Sequence, residues 1–416
     1  GGQSSSNCLI IGFKIVLTYE RGILKTAATR GNGLVGEEVT QNIKTISSIP
    51  LHLERPVSLI VEGEIWMGQK EFTRINNEQV KKSLPLYANP RNIAAGTIRQ
   101  LDSRLVASRK LDSFIYDIAK ADFNLPTTQT GELKLLQELG FKVNKHFIEA
   151  KNIEAVINYW EVWGGKKTKE DYWLDGVVVK VNEVSLQNKM GYTGKSPRFA
   201  IAFKFPAEQV TTVVMGISLQ VGRQGTITPV AELRPVAVAG TTVARATLHN
   251  EDEIKRLDVR VGDTVIIQKS GDIIPDVIKV LTELRPKNTK PYIFPKSLPG
   301  IGAIVRKVGE AAHRAVDKNT FTQTARRLSY FASKHAYDIP GLGPKQIEAL
   351  MENNLLATYA DIFKLTTNEL LALPRFAEVS AEKLIKSINS RRVVTLARFI
   401  IALSISQVGE ETAEDL

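Results

Sequence analysis

The chain has 416 residues, 43% of them hydrophobic, and a formal net charge of +11 at pH 7. That length implies several domains, and the absence of any apolar run near the ~20 residues of a membrane-spanning helix excludes helical membrane spans. One cysteine, Cys8, excludes an internal disulfide framework and a cysteine-built metal site within one chain, while the excess of Lys and Arg points to a polyanionic partner, most simply nucleic acid.

The opening "GGQSSSN" carries no basic or apolar leader, so a cytoplasmic location without membrane contact is expected. Asn7 to Leu24, "NCLIIGFKIVLTYERGIL", has the periodicity of a β-hairpin turning at Glu20-Arg21-Gly22. Strands are predicted at Ser58 to Met67 and Leu174 to Asn182, and helices over "GELKLLQELG" and "IEAVINYWEVW", which makes residues 1 to about 206 an α+β domain. From Val210 to Leu284 short β segments broken by Gly and Pro read as a small barrel of the oligonucleotide-binding (OB) kind. "RPKNTKPYIFPKSLPG" reads as a connector, and beyond Phe321 the chain reads as helical.

The helical tail repeats a tight turn followed by a helix at Ile339 to Leu350, Leu373 to Leu384 and Ile405 to Leu416. In the first copy Gly341 and Gly343 allow close backbone approach to a phosphate in front of helix-start amides; a plain bundle turn is the alternative. Arg375 and Ala377 replace those glycines in the second copy, and Ser404 and Gln407 make the third irregular.

The phrases "AATRGNGLVGEEVTQNIKTI", "EGEIWM", "YANPRNIAAGTIRQLD", "LDGVVVKVN", "FAIAFKFPA", "VGRQGTITPVAEL" and "ATLHNEDEIKRL", in this order, resemble the bacterial NAD-dependent DNA ligase family. The resemblance runs from about residue 8 to the C-terminus. It implies a multidomain α+β chain: a nucleotidyltransferase (adenylation) domain over 1–208, an OB-fold barrel over 209–288, a degenerate zinc-finger-like module over 289–321 and a helix-hairpin-helix α domain over 322–416. NAD and magnesium as cofactors and nicked duplex DNA as partner are implied with it; the oligomeric state stays open, with a monomer as the default.

Residue by residue, the resemblance makes Glu64 the carboxylate that holds the adenylate ribose, and Lys180 and Lys204 the lysines at the AMP phosphate, with Asp175 opening the same strand motif. Arg30, Arg91 and Arg99 match arginines of the active-site and DNA-facing surface, and Arg223 a barrel residue that faces the nick. Without the resemblance, Lys180 reads as a solvent-facing strand residue, Glu64 as one half of a surface ion pair and Asp175-Gly176 as a strand-entry turn.

The family hairpin begins Glu-x-Lys-x-Asp-Gly, its lysine forming a covalent lysyl-AMP. Anchored on Gly12, Asn7 stands at the glutamate, Leu9 at the lysine and Ile11 at the aspartate. Leucine has no lone pair and cannot be a nucleophile. Lys14, five residues from Leu9, is expected on the opposite strand face and is no substitute. Asn32 in "RGNG", where the family has aspartate, keeps the turn and loses a charge.

The zinc-ligand positions are Leu298, Ile301, Ala315 and Thr320, so zinc is expected to be absent and apolar contacts among the first three to replace it. His313 and Asp317 are expected at the surface. Both ends of the family pattern are expected to be missing: the mononucleotide-binding segment before the nucleophile motif and the module after the hairpin array. Three functions stay open: a family member that binds DNA but cannot adenylate itself, a ligase using another nucleophile or pre-adenylated DNA, and an interaction scaffold with no DNA role.

Overall fold

The computed structural model describes residues 3–31, 36–87, 89–193, 196–238, 241–270, 274–317, 319–374 and 376–416, and within them all side chains but those of Ser270 and Ile274. The opening apolar run breaks at Ile11 and Gly12 into β1 (Ser4–Ile10) and β2 (Phe13–Glu20). The expected hairpin holds only for its second half: β2 pairs with β3 (Ile23–Thr29) through Arg21 and Gly22, at φ 49° and 78°. Two left-handed residues match the twist of the flanking strands. β1 belongs to a different sheet, and Gly12 is where the chain crosses. A Cβ at Gly12 would stand 2.5 Å from Glu64 Cγ and 2.6 Å from the Ile65 carbonyl oxygen, so only glycine fits.

The chain divides into two compact units, Gly1–Pro206 and Ala207–Leu416. The first adds β4 (Leu59–Met67), β5 (Leu111–Ala121), β6 (Ile148–Ala150), β7 (Leu174–Val181), the short pair β8 (Tyr192–Thr193) and β9 (Ser196–Pro197), and β10 (Ala200–Lys204). They build two antiparallel four-stranded sheets, ordered β3-β2-β4-β5 and β10-β7-β1-β6. Period-two alternation turns Ile15, Leu17, Val61, Ile65 and Ile115 inward, all without exposure. Helices α1 (Thr40–Ile43), α2 (Gln69–Lys81), α3 (Pro90–Ile98), α4 (Ser103–Ser108), α5 (Gln129–Glu138), α6 (Ile153–Lys166) and α7 (Val184–Met190) complete the unit. Thr128 caps α5 by accepting from the Gly131 amide, and the helix buries Leu133 and Leu136 in the core.

In the second unit β11 (Gln209–Val221), β12 (Thr226–Val238), β13 (Thr241–Thr247), β14 (Thr264–Ser270) and β15 (Ile274–Val280) run in the order β11-β14-β15-β13-β12, and β12 returns to β11. That return closes a five-stranded barrel, with α8 (Glu251–Leu257) between β13 and β14. The connector is not a separate module. Its strands β16 (Ser297–Leu298), β17 (Gly302–Arg306) and β18 (His313–Ala315) extend the barrel sheet through Thr226↔Arg314 and Ile227↔His313.

Ile301, Ile304 and Ala315 bury together with Val221 and Ile227 of the barrel, and Leu298 packs against them. Thr320 stands outside this cluster and caps the next helix through the Gln323 amide. His313 is also not the surface residue expected: its side chain is 13% exposed, stacked 4.3 Å from Phe294, with Nε2 3.4 Å from Glu251. Asp317 is exposed and accepts from the Asn319 amide. Among the described residues no three His, Cys, Asp or Glu side chains gather as a metal site.

The remaining helices are α9 (Phe321–Ala332), α10 (Pro344–Glu352), α11 (Tyr359–Ile362), α12 (Thr367–Leu371), α13 (Glu378–Ser390), α14 (Leu396–Ala402) and α15 (Glu410–Asp415). Each repeat predicted in the tail is a turn leading into α10, α13 or α15. Among the described residues no helix is long and apolar enough to cross a membrane.

Candidate nucleotide pocket and basic surface

Between the two sheets of the first unit lies a cavity of about 230 Å³. Leu9 on β1, Val178 and Lys180 on β7, Glu64 on β4, and Phe114 and Tyr116 on β5 line it. Three of the residues singled out in the sequence therefore meet: Leu9, Glu64 and Lys180. Lys180 is not the solvent-facing residue that its strand position alone suggests. Its side chain is 18% exposed, with Nζ 3.5 Å from Asp117 and 5.9 Å from the Tyr116 ring centre.

Glu64 is half-buried in the cavity wall rather than part of a surface pair. Burial pushes its carboxyl up to about 7, opposed by the charges of Arg91, Lys14 and Arg30 and by a Gly12 backbone hydrogen bond. Arg30 and Arg91 thus face the same carboxylate. Lys14 lies on β2, not on an extension of β1, so the alternation expected to turn it away from Leu9 does not apply; its ammonium is held 2.5 Å from Glu62. Asn32 lies outside the described residues.

Burying Glu64 carries a pH signature. The folded chain keeps a proton that the unfolded chain has released above about 4.5, so this group makes stability fall as pH rises from 4.5 to 7. Glu64→Gln is expected to be more stable than the parent at pH 8, by up to about 3 kcal/mol, and close to it at pH 4.5. Urea unfolding of the two chains at both values checks this; equal gaps would mean that Glu64 is ionised at no cost.

Lys204 and Asp175 do not line the cavity. They pair with each other across the rim, Nζ to carboxylate 2.5 Å, and Lys204 and Leu9 both register on Gly176, from opposite sides of β7. Arg99 pairs with Glu37 at 2.8 Å and lies 5.1 Å over the Phe13 ring.

Two cavity features escaped the sequence reading. Tyr116 and Phe114 stand two apart on β5, and Phe114 registers against Glu64; the strand's period could have revealed that aromatic wall. Cys8 sits beside Leu9, buried, with Sγ 3.4 Å from Tyr159 Oη, and burial pushes its thiol up to about 12, so it is an inert packing residue.

In the second unit Arg223 stacks on Tyr330 with its guanidinium 3.7 Å from the ring centre, and Gln224 donates to the Ser404 carbonyl at 3.1 Å. Gly341 has φ 91°, a conformation that disfavours side chains, and Gly343 starts α10 ahead of Pro344. Ser404 and Gln407 adopt φ 53° and 67°, so the third turn keeps left-handed backbone without glycine. Arg375 lies outside the described residues, and Ala377 starts α13.

Family models match in the same order: NAD-dependent DNA ligase adenylation domain over 5–208, NAD-dependent DNA ligase OB-fold domain over 211–289, and a SAM-like helix-hairpin-helix tandem over 335–390. The DNA ligase of Thermotoga neapolitana is 46% identical over 410 residues, 98% of this chain and 59% of that protein. Those of Carboxydothermus hydrogenoformans and Lysinibacillus sphaericus are each 45% identical, over 98% and 97% of this chain and 62% and 61% of theirs. The chain thus spans about three-fifths of the length of these curated relatives. With both nucleotidyltransferase sheets, a closed barrel and a hairpin-helix array in the same order as these matches, the chain belongs to the NAD-dependent DNA ligase family.

Proposed function

We propose that the chain binds an adenylate and nicked duplex DNA, as a nick-sealing ligase of its family would, but cannot take AMP onto itself. The observation that carries this reading is Leu9 in the wall of the cavity that also holds Glu64 and Lys180. The residues fit an adenosine phosphate: an aromatic face at Tyr116 for a base, a carboxyl at Glu64 for ribose hydroxyls, and an ammonium at Lys180 for phosphate. Lys204, Arg30 and Arg91 supply further positive charge near the rim. The adenylate bound here contributes an activated phosphoryl group; a leucine offers nothing to receive it. Asp175 holds Lys204, Arg99 faces outward, and the barrel loop at Arg223 and the Gly341 and Gly343 turn are the surfaces offered to phosphates of the duplex. NAD and magnesium belong to this reading as the family's cofactors.

Incubation with labelled NAD and magnesium, followed by denaturation, is expected to give no protein-AMP adduct; an adduct would show a second nucleophile. Binding to nicked duplex is expected to weaken by at least about tenfold between 50 and 200 mM salt. Salt-independent binding, or none, would leave the scaffold reading.

Arg223→Ala and Gly341→Val are each expected to weaken that binding by roughly five- to tenfold, the second because valine resists φ 91°. Tyr330→Leu, which removes the stacking partner and keeps the guanidinium, is the control. If it weakens binding as much as Arg223→Ala does, Arg223 serves packing rather than DNA.

A further inference from the structure

The turn between β11 and β12, Gly222 to Gly225, is held by three neighbours. It closes on itself through the Gly222 amide to the Thr226 carbonyl at 2.7 Å and the Gly225 amide to the Gly222 carbonyl at 2.9 Å. Its Gly225 carbonyl accepts from the Ala315 amide of β18 at 2.8 Å, and Gln224 ties it to Ser404 just after α14. The third neighbour is α9. A Cβ at Gly225 would stand 3.2 Å from Nε2 of the buried Gln323, and Tyr330, two helical turns further along the same side of α9, lies under Arg223.

Arg223 is exposed, yet its place is fixed. The Tyr330 ring covers one face of the guanidinium at 3.7 Å, and a guanidinium carries all five N–H donors in its plane, so stacking occupies none of them. Among the described residues no carboxylate or carbonyl takes those donors. That sets Arg223 apart from Arg245 on β13 and Arg314 on β18, which pair with Glu232 and Glu310. A stacked cation with an unused in-plane donor edge is preorganised for an anion that accepts bidentately, as a phosphate does.

We propose that Tyr330 is a positioning residue for DNA binding: it holds the Arg223 guanidinium with its donor edge free, so that the barrel turn and α9 offer one preformed site to a phosphate of the duplex. This rests on the reading of Arg223 as a residue that meets DNA. An unstacked arginine loses rotamer freedom when it binds, and the Tyr330 ring has removed part of that freedom before the DNA arrives. The ring adds no charge. It therefore governs how tightly the phosphate is held, and not how many phosphates are neutralised.

The test is a double-variant cycle read by fluorescence anisotropy of a labelled nicked duplex, with the full chain at several salt concentrations. Arg223→Ala is expected to make the fall of log affinity with log salt shallower by about one phosphate contact. Tyr330→Leu is expected to weaken binding by roughly two- to fivefold, less than Arg223→Ala does, and to leave that slope unchanged, since the guanidinium still reaches the phosphate. Tyr330→Phe, which keeps a ring under the cation, should bind as the parent does. The two losses should not add: Arg223→Ala with Tyr330→Leu should bind like Arg223→Ala alone.

Tyr330→Leu binding like the parent or more tightly overturns the proposal, as does Tyr330→Phe binding as weakly as Tyr330→Leu. So does a double variant in which the losses add, because Tyr330 would then act without Arg223. In each of these cases a weakened Arg223→Ala leaves the DNA reading of Arg223 intact. Unchanged binding in Arg223→Ala, or a loss in Tyr330→Leu as large as in Arg223→Ala, brings down that reading and this inference with it. Thermal melts come first; if Tyr330→Leu melts below the parent, Tyr330→Gln, which also lacks a π face, takes its place in the cycle.

Discussion

Leu9→Lys combined with Ile11→Asp is expected to turn a chain that forms no AMP adduct into one that does, when supplied with nicked DNA already carrying a 5′-adenylate. In this reaction the new Nζ attacks the adenylate phosphorus and the DNA 5′-phosphate leaves, so no other reactant is required. The cavity around position 9 holds Lys180, with Arg30 close to the Glu64 on its wall. These cations should lower the pKa of a lysine at position 9 and raise its free-amine fraction. The change is from no detectable band to a denaturation-stable labelled one. Introducing a charge where leucine packs costs on the order of 1–3 kcal/mol if the ammonium cannot reach polar groups, so the variant's circular dichroism and melting must first match the parent's. A folded variant that binds adenylated DNA and stays unlabelled would show that β1 no longer aims position 9 at the phosphate.

The second large effect is expected at Gly176. A Cβ there would stand 2.3 Å from the Phe203 carbonyl oxygen and 2.5 Å from Lys204 Cα, both backbone atoms that cannot swing aside. Gly176→Val should detach β10 from β7, part Lys204 from Asp175 and destabilise the first unit by about 3 kcal/mol or more, enough to unfold a marginal domain. Gly165→Ala in α6, with nothing within 4 Å of the new methyl, should be neutral or stabilising by up to about 1 kcal/mol. Urea unfolding followed by tryptophan fluorescence separates the two. Equal midpoints would mean that β10 is not held against β7 in solution.

Much of this scaffold can be read from local pattern. The alternation in "SLIVEGEIWM" and "LDGVVVKVN" locates two central strands, and the helical spacing of "GELKLLQELG" locates α5. Pattern fails where identical chemistry serves different places. "NCLIIGFKIVL" is apolar but for Asn7, Gly12 and Lys14 and reads as one arm of a hairpin, and only the crowding of Gly12 against Glu64 reveals that it feeds two sheets. Glu132 looks like any exposed helix glutamate, because nothing in its neighbourhood along the chain announces that it is buried and that the Ile118 amide of β5 donates to it. His313 hides its burial for the same reason: Phe294 and Glu251 reach it from distant segments. For the pocket, it took the resemblance of the ordered phrases to the ligase family to select Leu9, Glu64 and Lys180, against what their residue types suggest, and Tyr116 needed the fold.

The placement of β1 bears on how the molecule is made. Its neighbours in the sheet are residues 148–150 and 174–181, while β2, only two residues further on, pairs with the adjacent hairpin strand and β4. As the polypeptide leaves the ribosome, the sheet of β2 to β5 can assemble once residue 121 has emerged, but Leu9 stays without a ladder partner until β7 follows. Closing a loop of that span is slow and entropically costly. The wall of the pocket is therefore a late event in the biogenesis of the first unit, and the Cys8-Leu9-Ile10 end of β1 stays exposed to chaperones and neighbouring nascent chains until then.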